Sequence, residues 1–125
     1  MPPMPPVLLV AAGGALGAAL RYLAGAGVSR LLAPGFPYAT LFVNVAGSFA
    51  MGVLFIALAR AGQAHLSPLL LTGLLGGFTT FSAFSLEAVA LMEEGRLIAA
   101  ALYVGGSVVL SIAALMLGLA LGRAA

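Results

Sequence analysis

Between residues 73 and 87 the chain reads Gly-Leu-Leu-Gly-Gly-Phe-Thr-Thr-Phe-Ser-Ala-Phe-Ser-Leu-Glu, within an apolar segment long enough to cross a membrane. Phe78, Phe81 and Phe84 recur at intervals of three, as do Thr79, Ser82 and Ser85, so aromatic and hydroxyl faces lie side by side on a helix. A hydroxyl donates a hydrogen bond and an aromatic ring is electropositive at its edge, so this set could meet a small anion without any fixed charge. Paired Gly76 and Gly77 followed by paired Thr79 and Thr80 also mark a place for a spanning helix to break. Backbone freed in lipid must be covered by protein or by a water-filled path, and such breaks build ion sites in membrane proteins. A second reading stays open. Gly73 and Gly77 have the spacing of a helix packing face, and the hydroxyls could bond back to their own helix.

Other polar groups in apolar surroundings extend the list of candidates. Asn44 and Ser48 share a helix face at i, i+4, and the Asn44 amide can offer two N–H donors to a dehydrated anion or serve as an interhelical hydrogen-bond partner. Tyr103, Ser107 and Ser111 line one face for over two turns, either as bonds between helices or as a ladder for a desolvated ion together with Ser82 and Ser85. Arg21 falls on the stripe of Gly13 and Gly17, where an intramembrane charge is a site candidate unless it snorkels to the interface. Glu87 closes the central motif, either at the interface or in a buried pairing with an arginine.

These groups need spanning helices to position them. With 125 residues, 63% hydrophobic and 6% charged, and a mean hydropathy of +1.22, the chain is an integral membrane protein with no room for a soluble domain. A span takes roughly 20 residues, which gives four, at about 7–32, 38–59, 68–92 and 97–121, in a single all-α domain. The N-terminal apolar run lacks a basic leader and continues past Arg21, so it reads as the first span rather than a cleaved signal. No cysteine is present, the one histidine, His65, falls in a polar loop, and five arginines against three glutamates make no basic patch. Thiolate metal chemistry and nucleic-acid binding are therefore set aside.

Four spans place both termini on one side, with Arg60 and Arg123 there and Arg30 and Arg96 opposite. This tie at two each, counted before Arg21 is assigned to a side, leaves the positive-inside rule almost nothing to act on. A chain with so little bias could insert both ways and pair as an antiparallel homodimer, which would also cover faces too polar for lipid.

Three blocks resemble the small fluoride channels of the Fluc/CrcB family: Gly14-Ala-Leu-Gly-Ala-Ala-Leu-Arg-Tyr22, Asn44-Val-Ala-Gly-Ser-Phe49 and Gly76-Gly-Phe-Thr-Thr-Phe-Ser-Ala-Phe-Ser85. The third is the specific one, in order and spacing. The resemblance implies four-helix subunits of dual topology in an antiparallel homodimer with two pores, passively exporting fluoride across the bacterial inner membrane. It implies that the third helix is broken mid-membrane, that Asn44 donates to fluoride, and that Phe81 and Phe84 line the path with ring edges. Ser107 and Ser111 would continue a polar track beside Tyr103, with Ser82 close by. It also implies a structural Na⁺ at the dimer centre, held by the backbone carbonyls of Gly76 and Thr79. Arg21 matches the family's arginine and, with Glu87, is a candidate for a vestibule or structural role. Ala83 departs from the pattern, standing where a threonine is more usual.

Two further readings compete with an ion channel. A dual-topology, proton-coupled exporter of hydrophobic cations needs an acid deep in a span, and Glu87 is the sole candidate. A purely structural membrane subunit would explain Asn44, Thr79 and Phe81 by packing alone. No enzymatic constellation is present in the sequence.

Overall fold

The structure, a computed structural model, describes residues 2–125. Helix α1 spans Pro6–Leu31, starting on a proline, which suits a first turn whose N–H would be unpaired anyway. Helix α2 spans Tyr38–Arg60, after a turn through Pro34, Gly35 and Pro37. A 3₁₀ turn, Ala64–Leu66, leads into a third rod built in pieces: a π-helical segment Pro68–Leu75, the single turn α3 (Gly76–Phe78), and helix α4 (Phe81–Glu93). Helix α5 spans Leu97–Ala124. The described residues hold four rods long and apolar enough to cross a membrane: Pro6–Leu31, Tyr38–Arg60, Ala64–Glu93 and Leu97–Ala124. Against the expected spans the larger differences lie at the start of the third rod, which takes in the 3₁₀ turn from Ala64, and at the end of the fourth, which runs on to Ala124.

Apolar side chains point outwards in quantity, the reverse of a water-soluble bundle. Tyr22, Leu31, Phe81 and Ile98 are 76%, 84%, 78% and 80% exposed, which only lipid or a partner subunit can cover. The buried cluster is small, formed by Phe84, Ala88, Leu91, Ala100 and Tyr103 with Phe36, Leu41 and Ala99 against it. Backbone-to-backbone contact does much of the remaining packing. Helix α1 lies on the π segment through Gly13 and Gly17, and a methyl group added to Gly13 would meet the Leu74 nitrogen at 2.8 Å. Helices α2 and α5 meet through Gly52 and Gly118, where a methyl on Gly52 would lie 2.8 Å from the Leu119 nitrogen. Small residues serve here as in other membrane bundles, because lipid offers no hydrophobic gain for helix association and close van der Waals contact must supply it.

Two arginines fasten the ends. Arg60 Nη1 donates to the carbonyls of Gly122, Arg123 and Ala125 at 3.0, 2.7 and 2.8 Å, filling acceptors that the last turn of α5 leaves open. Arg96 Nη1 donates to the Gly35 carbonyl and lies 3.9 Å from Glu94 Oε2, tying the turn before α5 to the turn before α2.

Candidate functional site

The third rod breaks at Thr79 and Thr80, whose backbones are extended (φ −91°, ψ 161° and φ −153°, ψ 122°). The break separates Phe78 and Thr79 from Phe81, Ser82 and Ser85, so the continuous faces expected from the spacing of three are interrupted. An uninterrupted helix would bond the N–H of residues 80–83 to the carbonyls of residues 76–79. Side chains replace part of what is lost. Asn44 Oδ1 accepts from the Thr80 N–H at 2.7 Å while Asn44 Nδ2 donates to the Thr80 carbonyl at 3.0 Å. The Thr80 hydroxyl accepts from the Ala83 N–H at 3.1 Å and so caps α4. Arg21 Nε donates to the Gly77 carbonyl at 3.1 Å. Outside the regular helices, no described hydrogen bond is donated to the carbonyl of Gly76 or of Thr79.

Asn44 therefore does more than the sequence suggested. One of its two amide N–H groups is bonded to the backbone of the break, which leaves the other for the groove beside it. Gly47, one turn further along α2, is buried, and a side chain there would run into the Thr79 methyl group and lie 3.3 Å from the Phe78 ring. Its bare backbone lets α2 come close enough for Asn44 to reach Thr80.

A groove of about 400 Å³ opens beside the break, walled by α2, α4 and α5. Asn44, Ser48, Thr79, Thr80, Phe81, Phe84, Ser107 and Ser111 line it, and Met51, Ile112 and Leu115 form an apolar end. The rings of Phe81 and Phe84 meet edge to face, centroids 5.4 Å apart and planes at 61°. Phe84 is buried and Phe81 stands on the open lip. Ser107 is 6% exposed and its hydroxyl has no hydrogen-bond partner, a costly state for a buried polar atom unless something enters the groove to meet it. No charged side chain lines the groove.

Four further candidates lie outside the groove. Ser82 faces outwards, 3.3 Å from the Thr80 hydroxyl, and Ser85 donates to the Phe81 carbonyl of its own helix at 2.9 Å, as Thr79 does to Leu75 at 3.0 Å. Ser107 and Ser111 consequently share their groove with Asn44 and the rings rather than with Ser82 and Ser85. Tyr103 is fully buried, its ring 5.2 Å from Phe84 and 5.5 Å from Phe36, and its hydroxyl donates to Glu87 Oε1 at 3.5 Å. Glu87 also accepts from the Thr40 hydroxyl at 2.6 Å. The buried arginine pairing left open for Glu87 is not formed, and the ion pair found among the described residues is Arg96 with Glu94. Glu87 borders a second, smaller cleft with Gly35, Phe36 and Pro37.

A break braced by side chains, beside a groove of uncharged donors and ring edges, can be set against known proteins. The family model described as CrcB-like protein, Camphor Resistance (CrcB), matches residues 8–119. The chain belongs to the CrcB family. A protein of Cereibacter sphaeroides named Fluoride-specific ion channel FluC is 58% identical over 117 residues, covering 94% of each chain. Its namesake from Roseobacter denitrificans is 57% identical over 122 residues, 96% of this chain and 97% of that one. Another, from Agrobacterium fabrum, is 52% identical over 119 residues, 94% and 95% of the two chains.

Within this CrcB chain, two participants escaped the sequence reading. Thr40 lies at i−4 from Asn44, so Thr40, Asn44 and Ser48 form one polar stripe on α2 that the spacing could have revealed. Thr80 is visible in the motif, but nothing in the sequence distinguishes its clamped backbone from that of its neighbour Thr79.

Proposed function

We propose that this chain is one subunit of a fluoride-selective channel, multi-pass in a bacterial plasma membrane, through which fluoride leaves the cell passively and so loses its toxicity. It is a channel subunit and not an enzyme. The observation that carries the reading is the groove itself: a free Asn44 N–H, an unpartnered buried Ser107 hydroxyl and the Phe81 and Phe84 ring edges converge with no fixed charge. Fluoride holds its water strongly, so it enters an apolar region only where close donors replace that water. Conduction also needs release, which neutral donors permit and a buried guanidinium or ammonium would oppose. Asn44 and Phe81 meet the ion near the break. Ser107 and Ser111 carry it along α5, and buried Tyr103 backs the Phe84 ring from behind.

The functional unit of this reading is an antiparallel, dual-topology homodimer. Phe81 is 78% exposed on the lip of an open groove, so the path is incomplete until a second copy covers it. Arg60 and Arg123 at one end balance Arg30 and Arg96 at the other and favour neither orientation, and antiparallel pairing brings the two breaks together at mid-membrane. That depth is supported by the place of Thr79 and Thr80 near the centre of the Ala64–Glu93 rod. The Gly76 and Thr79 carbonyls, to which no donor is described outside the regular helices, suit a hard cation that prefers oxygen ligands. In the dimer they would hold a structural Na⁺ that neutralises backbone freed by the break.

The test is purified protein in liposomes, with fluoride and chloride efflux followed side by side and the particle mass determined. Fast fluoride efflux with little chloride from a dimer is the expected result. Equal efflux of both ions, or none, overturns the assignment. A proton-coupled exporter finds less support, because its one candidate acid, Glu87, is bonded to Thr40 and Tyr103.

A further inference from the structure

The groove gives Arg21 no part, although it lies in the interior of the first apolar rod, away from the last-turn Arg30, and touches the break directly. Gly13, Gly17 and Arg21 form one stripe on α1, and the two glycines bring α1 against the backbone of the third rod from Leu69 to Phe78. A methyl on Gly17 would lie 2.9 Å from the Phe78 nitrogen, and one on Gly77 would lie 2.7 Å from the Gly14 carbonyl oxygen. The next turn of the stripe is Arg21, whose Nε lies 3.1 Å from the Gly77 carbonyl. In an unbroken helix that carbonyl would accept from the N–H of Phe81. Arg21 thus stands where the backbone donor has been removed.

We infer that Arg21 is a positioning residue of the break: its Nε–H substitutes for the Phe81 N–H on the Gly77 carbonyl and holds the rod open from the α1 side, as Asn44 holds it from the α2 side. This rests on the channel reading for its functional consequence, while the structural claim stands apart from it. With Gly77 satisfied by Arg21 and Thr80 by Asn44, the rod gains nothing by re-forming a straight helix across Thr79 and Thr80. The Phe81 ring and the Gly76 and Thr79 carbonyls then keep their directions. The remaining guanidinium N–H groups make no described hydrogen bond and border a separate cleft with Tyr22, Thr40, Thr80 and Ala83. A rival role follows from that cleft, in which Arg21 acts by its charge, attracting anions.

The two roles separate by side-chain geometry. Arg21→Gln places an amide nitrogen, four atoms from Cα, where Nε was, and removes the charge. Arg21→Lys keeps the charge and puts a methylene at that place. Arg21→Met removes both. The dimeric variants are compared by hydrogen–deuterium exchange over residues 76–85 and by fluoride efflux from liposomes. If the donor matters, Gln keeps parental protection of the Thr79, Thr80 and Ala83 amides, while Lys and Met exchange faster. A hydrogen bond from a charged donor is worth about ten- to a hundredfold in a two-state population, so flux in Lys and Met falls by at least about tenfold and Gln stays near the parent. Normal protection in Met, or loss of protection in Gln equal to that in Met, overturns the inference. So does the reverse order of flux, with Lys near the parent and Gln deficient, which marks a charge effect. If the parent conducts no fluoride, the channel reading fails and the exchange comparison still decides the role of Arg21.

Discussion

Asn44→Asp isolates one atom at the centre of the site. In the parent, only one orientation of the amide satisfies both the N–H and the carbonyl of Thr80, at 2.7 and 3.0 Å, so Oδ1 and Nδ2 are assigned by their partners. The ionised aspartate keeps the first bond and loses the second, turning a donor into an oxygen that faces the Thr80 carbonyl. The lost bond costs about 1–3 kcal/mol when its acceptor is part-buried. Half a charge on each of two oxygens 3.0 Å apart adds roughly 1.4 kcal/mol of repulsion at an effective dielectric of about 20. A combined ~3 kcal/mol lowers the population of the intact break by roughly a hundredfold. The carboxylate also stands in the anion's route, so fluoride efflux at neutral pH should fall at least that far while the dimer still elutes normally. Protonated aspartic acid has an O–H where the amide had N–H and can donate to Thr80 again. Efflux of the variant relative to the parent should therefore recover on acidification, with empty liposomes correcting for passage of undissociated hydrogen fluoride. Efflux equal to the parent at neutral pH, or a deficit that does not respond to acid, refutes the clamp.

Ser107→Ala removes a buried hydroxyl that has no protein partner, so thermal stability of the dimer should hold or rise slightly while fluoride efflux drops, read by melting in detergent and by a fluoride electrode. Phe81→Ile and Phe84→Ile keep bulk but lose the electropositive edge, so each should conduct far less than the parent although packing suffers by only about 1 kcal/mol; parental flux in both would reduce the rings to filler. Gly52→Leu forces a side chain into the backbone of α5 at Leu115 and Leu119, and should cost more than the ~1–3 kcal/mol of ordinary overpacking and show as loss of the dimer in chromatography.

Spanning segments and their number were legible without coordinates, because 20-residue apolar runs have one outcome in lipid and Pro34, Gly35, Gly62 and Gly95 mark the turns between them. The interruption of the third rod was legible for the same kind of reason, a local one: paired glycines and paired threonines weaken the helix where they stand. What surrounds the interruption was not. Helices that are apolar on every side carry no amphipathic signal, so the spacing of Phe78, Phe81 and Phe84, or of Ser82, Ser85, Ser107 and Ser111, could not say which face meets which helix. The π segment Pro68–Leu75 was likewise hidden, since its sequence reads as ordinary membrane helix. Tertiary contact decided these matters. The close approach of α1 and α2 through Gly17 and Gly47 delivers the side chains of Arg21 and Asn44 to backbone groups 56 and 36 residues away. The same folding turns the hydroxyl of Ser85 back onto its own helix, leaves that of Ser107 facing an open groove, and gives Glu87 a threonine and a tyrosine in place of an arginine.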